Sequence, residues 1–210
     1  MTTSAPLLLA LDTSTSTASV ALFDGQRVLS ETTWLAGREH STRLLIEVEV
    51  ALDRVGCTPG DLTGLVVARG PGSFTGVRVA LSVAKGIATG LSIPVWGVSS
   101  LDALAAAAGV VEVPVRTIVE AGRGRYAVAL YVDGQCVEAP VLATVEQLQA
   151  LIVEPTLLIG ELSDDARQKM AQQPYVRLAS SAASLRRAGF VAELGWGMSQ
   201  SGDPGDARSL

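Results

Sequence analysis

The sequence is poor in the residues that build metal centres and nucleophile–base pairs. Its 210 residues include one histidine, two cysteines and only 4% aromatic residues. His40, Cys57 and Cys136 lie in unrelated segments, so a site built from histidine and cysteine would have at most three such ligands. A serine or cysteine nucleophile with His40 as its base is one interpretation; in the other, Ser41 is the N-cap of a helix. We predict no catalytic residue, no metal and no cofactor.

Long apolar runs are also missing, and we expect no secretory signal. No apolar run approaches the roughly 18 residues that a membrane span needs. The N-terminal segment carries no lysine or arginine before its apolar run, which argues against a secretory signal. Two cysteines in a chain of this size favour free thiols in a reducing compartment. We therefore expect a cytoplasmic protein that makes no contact with a membrane.

The chain has no excess of positive charge. It carries 16 Lys and Arg residues against 21 Asp and Glu residues, which gives a formal net charge of −5. The nearest approaches to a basic cluster are the pairs Arg123/Arg125 and Arg186/Arg187, whereas a nucleic-acid-binding surface usually shows a basic stripe. If the protein works on nucleic acid, we expect a partner to do the binding.

Short apolar runs, two-residue turns and helical periodicities alternate along the chain. Their order is strand, strand, strand, helix, strand, helix, and it occurs twice, which predicts an α/β protein of two related lobes. The first lobe is predicted at residues 1–108 and a degenerate second lobe at 109–196, with the option that the last helix packs back on the first lobe. Residues 197–210 are predicted to form a polar, flexible tail.

A glycine-rich segment, ARGPGSFTGVRVA at Ala68–Ala80, separates a strand from a helix. It lacks the lysine of a phosphate-binding P-loop, and its glycines are spaced differently from a dinucleotide-binding motif. The segment therefore predicts a tight strand-to-helix turn, with Ser73 or Thr75 capping the helix.

A second candidate loop follows the first strand. Asp12, Thr13, Ser14 and Thr15 resemble the first phosphate loop of sugar kinases, actin and Hsp70 chaperones; the alternative is an Asx turn that closes a hairpin. In the second lobe, Ile118–Arg125 places two arginines where a second phosphate loop is expected. We predict a degenerate phosphate loop and expect no independent ATP hydrolysis.

Two amphipathic helices are predicted at about Ser41–Val55 and Thr75–Gly90. The second has a row of small residues, Ala80, Ala84 and Ala88, and a further apolar row formed by Val79, Val83 and Ile87. A helix that is apolar most of the way round must be covered on both sides, either by the protein's own core or by a partner. This pattern favours an interface formed by helices.

Three segments together closely resemble the TsaB (YeaZ-like) family: LALDTST near the N-terminus, EHS at Glu39–Ser41 and GPGSFTGVRVALSVAKGIA at Gly70–Ala88. The resemblance is strong over roughly residues 1–105 and weak afterwards, where Glu120–Tyr126 is an altered version of a family segment. The chain also ends in GDPGDARSL, whereas family members often end in a Pro-x-Tyr-x-Arg-like segment.

The resemblance implies an actin-like, Hsp70-like (ASKHA) two-lobed fold without catalytic competence. It implies a dimerisation subunit that pairs with and activates TsaD, the tRNA threonylcarbamoyltransferase, so that the adenosine next to the anticodon is threonylcarbamoylated. The ATPase subunit TsaE would join the pair, the chain alone would form a homodimer through the same helices, and tRNA would be reached only through the complex. The residues expected at this interface are His40, Ser41, Leu45, Val48, Leu52, Phe74, Thr75, Arg78, Val79, Val83, Ala84 and Ile87.

Two other functions remain open at this point. One is a peptidase, since the family has been labelled glycoprotease-like, although metal ligands are scarce. The other is a small sugar kinase or ATPase that uses Asp12 and Thr13.

Overall fold

The computed structural model describes residues 5–36 and 40–207, and for residues 40–42 it describes the backbone alone. The chain divides into two compact units. One comprises Met1–Arg69, Phe74–Val98 and Arg187–Leu210, and the other comprises Gly70–Ser73 and Ser99–Arg186. No helix within the described residues is long and apolar enough to cross a membrane.

The first unit is built on a five-stranded mixed sheet in the order β3-β2-β1-β4-β5. Strands β1 to β3 are antiparallel neighbours, and β4 and β5 run parallel to β1. Its elements are β1 (Leu8–Asp12), β2 (Thr17–Phe23), β3 (Val28–Leu35), α1 (His40–Val55), a 3₁₀ turn at Pro59–Asp61, β4 (Gly64–Ala68), α2 (Phe74–Leu91), β5 (Val95–Val98) and the final helix α6 (Ala188–Gln200). Every residue of β1 and β4 is buried because both strands lie inside the sheet with helices on its two faces.

Helix α2 packs on this sheet through its row of small residues. Gly76, Ala80, Ala84 and Ala88 are all buried, and the three alanines belong to a core cluster that includes Leu11. Small side chains allow the helix backbone to approach the strands closely. The alanine row could be covered by the protein's own core or by a partner. In the structure the protein's own sheet covers it.

The second unit repeats the same plan. Its sheet has the order β8-β7-β6-β9-β10, with β6 to β8 antiparallel and β9 and β10 parallel to β6. Its elements are α3 (Ser100–Ala108), β6 (Val115–Glu120), β7 (Tyr126–Val132), β8 (Gln135–Ala143), α4 (Val145–Ala150), β9 (Thr156–Gly160), α5 (Asp164–Ala171) and β10 (Val176–Leu178). The predicted duplicated α/β architecture is confirmed.

The boundary between the two units differs from the predicted boundary between the two lobes. We predicted that the first lobe ends at residue 108, but α3 belongs to the second unit, because Leu101 and Leu104 pack in a cluster with Val115 and Val119 of β6. The prediction placed α3 with β5, the strand that precedes it along the chain. The hydrophobic contacts of α3 with β6, which follows it, place the helix in the second unit instead.

The predicted flexible tail also begins too early. The tail was predicted to start at residue 197, but helix α6 runs from Ala188 to Gln200 and packs on β1 and β2. Gly195 and Gly197 lower the helix propensity of this segment. Packing overrides that propensity, because Gly195 lies against Val66 with no room for a Cβ atom and the Trp196 ring lies beside Gly25.

Candidate docking surface and phosphate loop

The loop after β1 is closed by its own hydrogen bonds. Asp12, Thr13, Ser14 and Thr15 are all buried, with relative exposures between 0% and 6%. The Asp12 Oδ1 atom accepts hydrogen bonds from the Ser14 amide at 2.8 Å and from the Ser14 hydroxyl at 2.6 Å. This is the geometry of an Asx turn. One carboxylate oxygen and one loop amide, the groups that a phosphate loop offers to metal and phosphate, are thus engaged within the loop.

The same loop is tied to the first turn of α2. The Thr13 hydroxyl donates a hydrogen bond of 2.7 Å to the Gly76 carbonyl oxygen. Both groups are buried, and they come from the two most distinctive motifs of the sequence, DTST and GPGSFTG. The DTST loop therefore helps to position the start of α2, a connection across 63 residues that no local pattern could reveal.

The GPGSFTG segment forms the predicted strand-to-helix turn. Strand β4 ends at Ala68, and α2 begins at Phe74. Ser73, one of the two predicted caps, immediately precedes the first helical residue, whereas Thr75 lies inside the helix. The segment delivers Phe74 to the surface as the first residue of α2.

The counterpart loop in the second unit is a tight hairpin. The Ala121 amide donates to the Arg125 carbonyl oxygen at 2.9 Å, and Gly122, Arg123 and Gly124 all have positive φ. Residues 122–125 are exposed. Glycine tolerates this backbone geometry readily, which explains the two glycines that flank Arg123.

Seven of the twelve predicted interface residues are exposed or half-buried in the first unit. Phe74 is 75% exposed and Leu45 is 47% exposed, while Thr75 and Arg78 are also exposed and Val79, Val83 and Ile87 are half-buried. Phe74, Thr75, Arg78, Val79, Ser82 and Val83 line a shallow groove along α2. We call Leu45, Ile46, Phe74, Thr75, Arg78, Val79, Ser82, Val83 and Ile87 the docking surface.

The sequence missed two members of this surface. Ile46 is 52% exposed, although it was not predicted at the interface, and Ser82 lines the α2 groove. The sequence does contain a signal that Ile46 is exposed. Leu44, Leu45 and Ile46 are consecutive, and three consecutive side chains of a helix cannot all point to the buried face. Leu44 takes the buried position.

Other predicted interface residues do not lie on the surface. Val48, Leu52 and Ala84 are at most 6% exposed and belong to the core cluster beneath α1 and α2. These three assignments are wrong, because helical periodicity identifies an apolar face without telling whether the protein's own sheet covers it. The side chains of His40 and Ser41, and the whole of Glu39, lie outside the described residues.

Phe74 and Arg78 form a pair at the start of the docking surface. They are one helical turn apart, and the Arg78 guanidinium carbon lies 4.9 Å from the centroid of the Phe74 ring. A cation–π contact of this kind is worth about 0.5–1 kcal/mol at an exposed site. The contact gives two long, exposed side chains a preferred arrangement before any partner binds.

The described residues contain no group of three or more His, Cys, Asp or Glu side chains arranged to hold a metal ion.

Solved structures of low sequence identity identify the fold. The ethanolamine utilization protein EutJ from Carboxydothermus hydrogenoformans superposes with a TM-score of 0.55 at 12% identity, covering 89% of each chain. The activator of 2-hydroxyisocaproyl-CoA dehydratase from Clostridium difficile gives 0.58 at 11% identity, covering 93% of this chain and 97% of that one. At these identities the likeness concerns the fold alone, and the class is the two-lobed actin-like (ASKHA) ATPase fold, as predicted.

The family follows from the sequence. The family model "TsaD: tRNA N6-adenosine threonylcarbamoyltransferase" matches residues 34–187, most of the chain. The chain belongs to this family. It is similar to YeaZ from Pseudomonas aeruginosa, with a TM-score of 0.79 and 28% identity, covering 97% of this chain and 96% of that one.

Curated relatives point to one branch. The protein TsaB of Bacillus subtilis (strain 168) is 39% identical over 124 residues, which are 59% of this chain and 54% of that protein. TsaB of Escherichia coli (strain K12) is 42% identical over 98 residues, 47% of this chain and 42% of that protein. The chain thus spans about half the length of the curated relatives it matches. The resemblance to the TsaB/YeaZ family is confirmed.

Proposed function

We propose that the chain is a non-catalytic partner subunit in tRNA threonylcarbamoyladenosine biosynthesis. It docks on a TsaD-type transferase through the docking surface and activates that enzyme for threonylcarbamoylation of the adenosine next to the anticodon. The observation that carries the proposal is the exposed apolar groove of α2 in a chain whose relatives are named for this biosynthesis.

The exposure of the docking surface supports a protein partner. An aromatic ring that is three-quarters exposed is unfavourable in water, and Leu45 and Ile46 of α1 are further exposed apolar residues of the first unit. Contiguous apolar surface on a folded protein commonly marks an interaction site. Aromatic and arginine side chains are enriched among the residues that contribute most to binding, which favours Phe74 and Arg78 as the centre of the contact.

The closed DTST loop supports a role without ATP hydrolysis. The Ser14 amide donates to Asp12 and the Thr13 hydroxyl donates to Gly76, so the loop would have to break its own bonds before these groups reach a phosphate. Breaking buried hydrogen bonds costs about 1–3 kcal/mol for each group left unpaired. We therefore propose that catalysis belongs to the TsaD-type partner, with a TsaE-type ATPase joining the pair.

The charge of the chain supports an indirect relation to tRNA. With a formal net charge of −5, the chain as a whole repels phosphate. We propose that tRNA is bound by the assembled complex, and that the chain alone uses the docking surface to form a homodimer in the cytoplasm.

Reconstitution tests the proposal. The chain is combined with TsaD-type and TsaE-type subunits, ATP, threonylcarbamoyl precursors and unmodified tRNA, and the modified adenosine is measured by mass spectrometry. We expect modification only when the chain is present and no ATPase, peptidase or tRNA-modifying activity from the chain alone. Equal modification in its absence would contradict the proposal.

A further inference from the structure

The C-terminal segment, predicted to be a flexible tail, is folded into a turn after α6. Gly202 has a φ of +89°, and the Asp203 amide donates to the Met198 carbonyl oxygen at 3.2 Å. The Asp203 Oδ1 atom then accepts a hydrogen bond of 2.9 Å from the Gly205 amide, which closes an Asx turn around Pro204. The segment therefore has local bonds that fix its path.

This turn lies on one face of the first unit's sheet. The Trp96 Nε1 atom donates a hydrogen bond of 3.0 Å to the Asp203 carbonyl oxygen. Gly205 packs so tightly on the indole that a Cβ atom there would lie 2.8 Å from Trp96 Cε2. Trp96 is the register partner of Val66, and Val66 contacts α6, so the turn lies on the α6 face.

The segment ends on the opposite face. Ala207 packs against the core cluster that contains Leu65, Val95 and the buried residues of α1 and α2. Side chains of a strand alternate between the two faces, so Val95 and Trp96 point in opposite directions. Residues 203–207 therefore pass from one face of the sheet to the other around β5, its edge strand.

Strand β5 differs from the other three edge strands in its composition. Edge strands expose unpaired backbone groups to which another chain can add a strand, and proteins protect them with charged residues or proline. Strand β3 contains Glu31, β8 contains Glu138 and Pro140, and β10 contains Arg177. The sequence of β5, VWGV, has neither a charge nor a proline.

We propose that residues 203–207 form a strap that closes the β5 edge of the first sheet and keeps another strand from pairing there. The strap is held by the Trp96 indole, by the tight fit of Gly205 and by the packing of the half-buried Ala207 against the core cluster. This inference is independent of the docking surface and of the proposed partner, because it concerns a different element of the first unit.

A matched pair of glycine substitutions in the full-length chain tests the strap. Gly202 and Gly205 both have positive φ, so Gly202→Ala and Gly205→Ala carry a similar backbone penalty. Only the Gly205 Cβ atom collides with Trp96, since nothing lies within 4 Å of a Cβ atom at Gly202. The readouts are hydrogen exchange of the β5 amides, the NMR signal of the Trp96 indole N–H, and self-association by light scattering.

We expect Gly205→Ala to speed β5 exchange at least about tenfold, to shift the Trp96 indole signal and to increase self-association, while Gly202→Ala leaves all three near the wild-type values. Trp96→Phe, which removes the indole donor without straining the backbone, should also speed β5 exchange, by a smaller factor. The strap would be overturned if β5 exchange is unchanged in Gly205→Ala, or if Gly202→Ala changes it equally.

Discussion

The two units share a strand order but differ in their helices. In the first unit the helices between the parallel strands, α1 and α2, have 16 and 18 residues. Their counterparts in the second unit, α4 and α5, have 6 and 8 residues. The two units thus share their sheets, and the two long helices belong to the unit that carries the proposed docking surface. We propose that this copy of the duplicated fold is the one adapted for contact.

The largest effect is expected at the buried face of α2. Ala84 is fully buried, so Ala84→Arg forces a long charged side chain between helix and sheet. We expect the free energy of unfolding to fall by about 3 kcal/mol or more, measured by urea denaturation. Ala150→Arg, at an exposed position of α4, should leave stability within about 0.5 kcal/mol. Unchanged stability in Ala84→Arg would place the core of the first unit elsewhere.

The next effect is expected at the exposed end of α2. Phe74→Ala removes a ring that is 75% exposed, so the stability of the chain should hardly change. Association with a TsaD-type partner should weaken by about 2 kcal/mol, close to thirtyfold, if the ring is a central contact. Calorimetric titration measures the affinity, and Tyr175→Ala, which removes a half-exposed ring from the second unit, is the control. If the two variants bind the partner with equal affinity, the assignment of Phe74 to the interface is wrong.

A third prediction compares buried threonines of the two units. Thr13→Val should lower the free energy of unfolding by about 1–2 kcal/mol, because the buried hydrogen bond from the Thr13 hydroxyl to the Gly76 carbonyl oxygen is lost. The Thr117 hydroxyl on β6 is buried and makes no hydrogen bond to any described residue. Thr117→Val should therefore be neutral or stabilise the chain by up to about 1 kcal/mol. Equal losses in the two variants would mean that the Thr13 bond has no special role.

The smallest effect is expected for the Phe74–Arg78 pair. Arg78→Gln removes the cation but keeps much of the side-chain length. We expect partner association to weaken by about 0.5–1 kcal/mol through loss of the contact with Phe74. In the Phe74→Ala background the same change should have a smaller effect, which a double-mutant cycle measures. A full effect in that background would show that Arg78 acts independently of Phe74.

The sequence predicted where strands and helices lie along the chain better than it predicted which of them pack together. Continuous apolar runs and capping residues are the signals that locate strands and helices; in the structure the Ser99, Thr144 and Ser163 side chains cap α3, α4 and α5. Such signals are local, because each depends on residues within a few positions. The assignment of α3 to the second unit depends on contacts with distant strands, so it could not be predicted in the same way. For the last helix the sequence left packing on the first lobe open, and α6 belongs to the first unit.

The same limit applies to the candidate site. Val79, Val83 and Ile87, the predicted second apolar row of α2, are half-buried, and Phe74 is exposed, but Val48, Leu52 and Ala84 lie in the core. The bond from Thr13 to Gly76 joins two recognised motifs, although neither motif indicates the other. The strap was missed because a glycine- and aspartate-rich segment is typical of disorder, whereas here Gly205 is required by its close contact with Trp96.

One measurement tests the docking surface most directly. Val83 is half-buried within the α2 groove, and Val153 is 73% exposed in the second unit, so Val83→Glu and Val153→Glu introduce the same charge at a proposed contact and at a neutral position. Sedimentation of each variant with a TsaD-type partner, followed by the tRNA modification assay, compares the two. If the docking surface binds the partner, only Val83→Glu abolishes the complex and the modified adenosine. A Val83→Glu protein that folds, assembles and supports modification like Val153→Glu would contradict it.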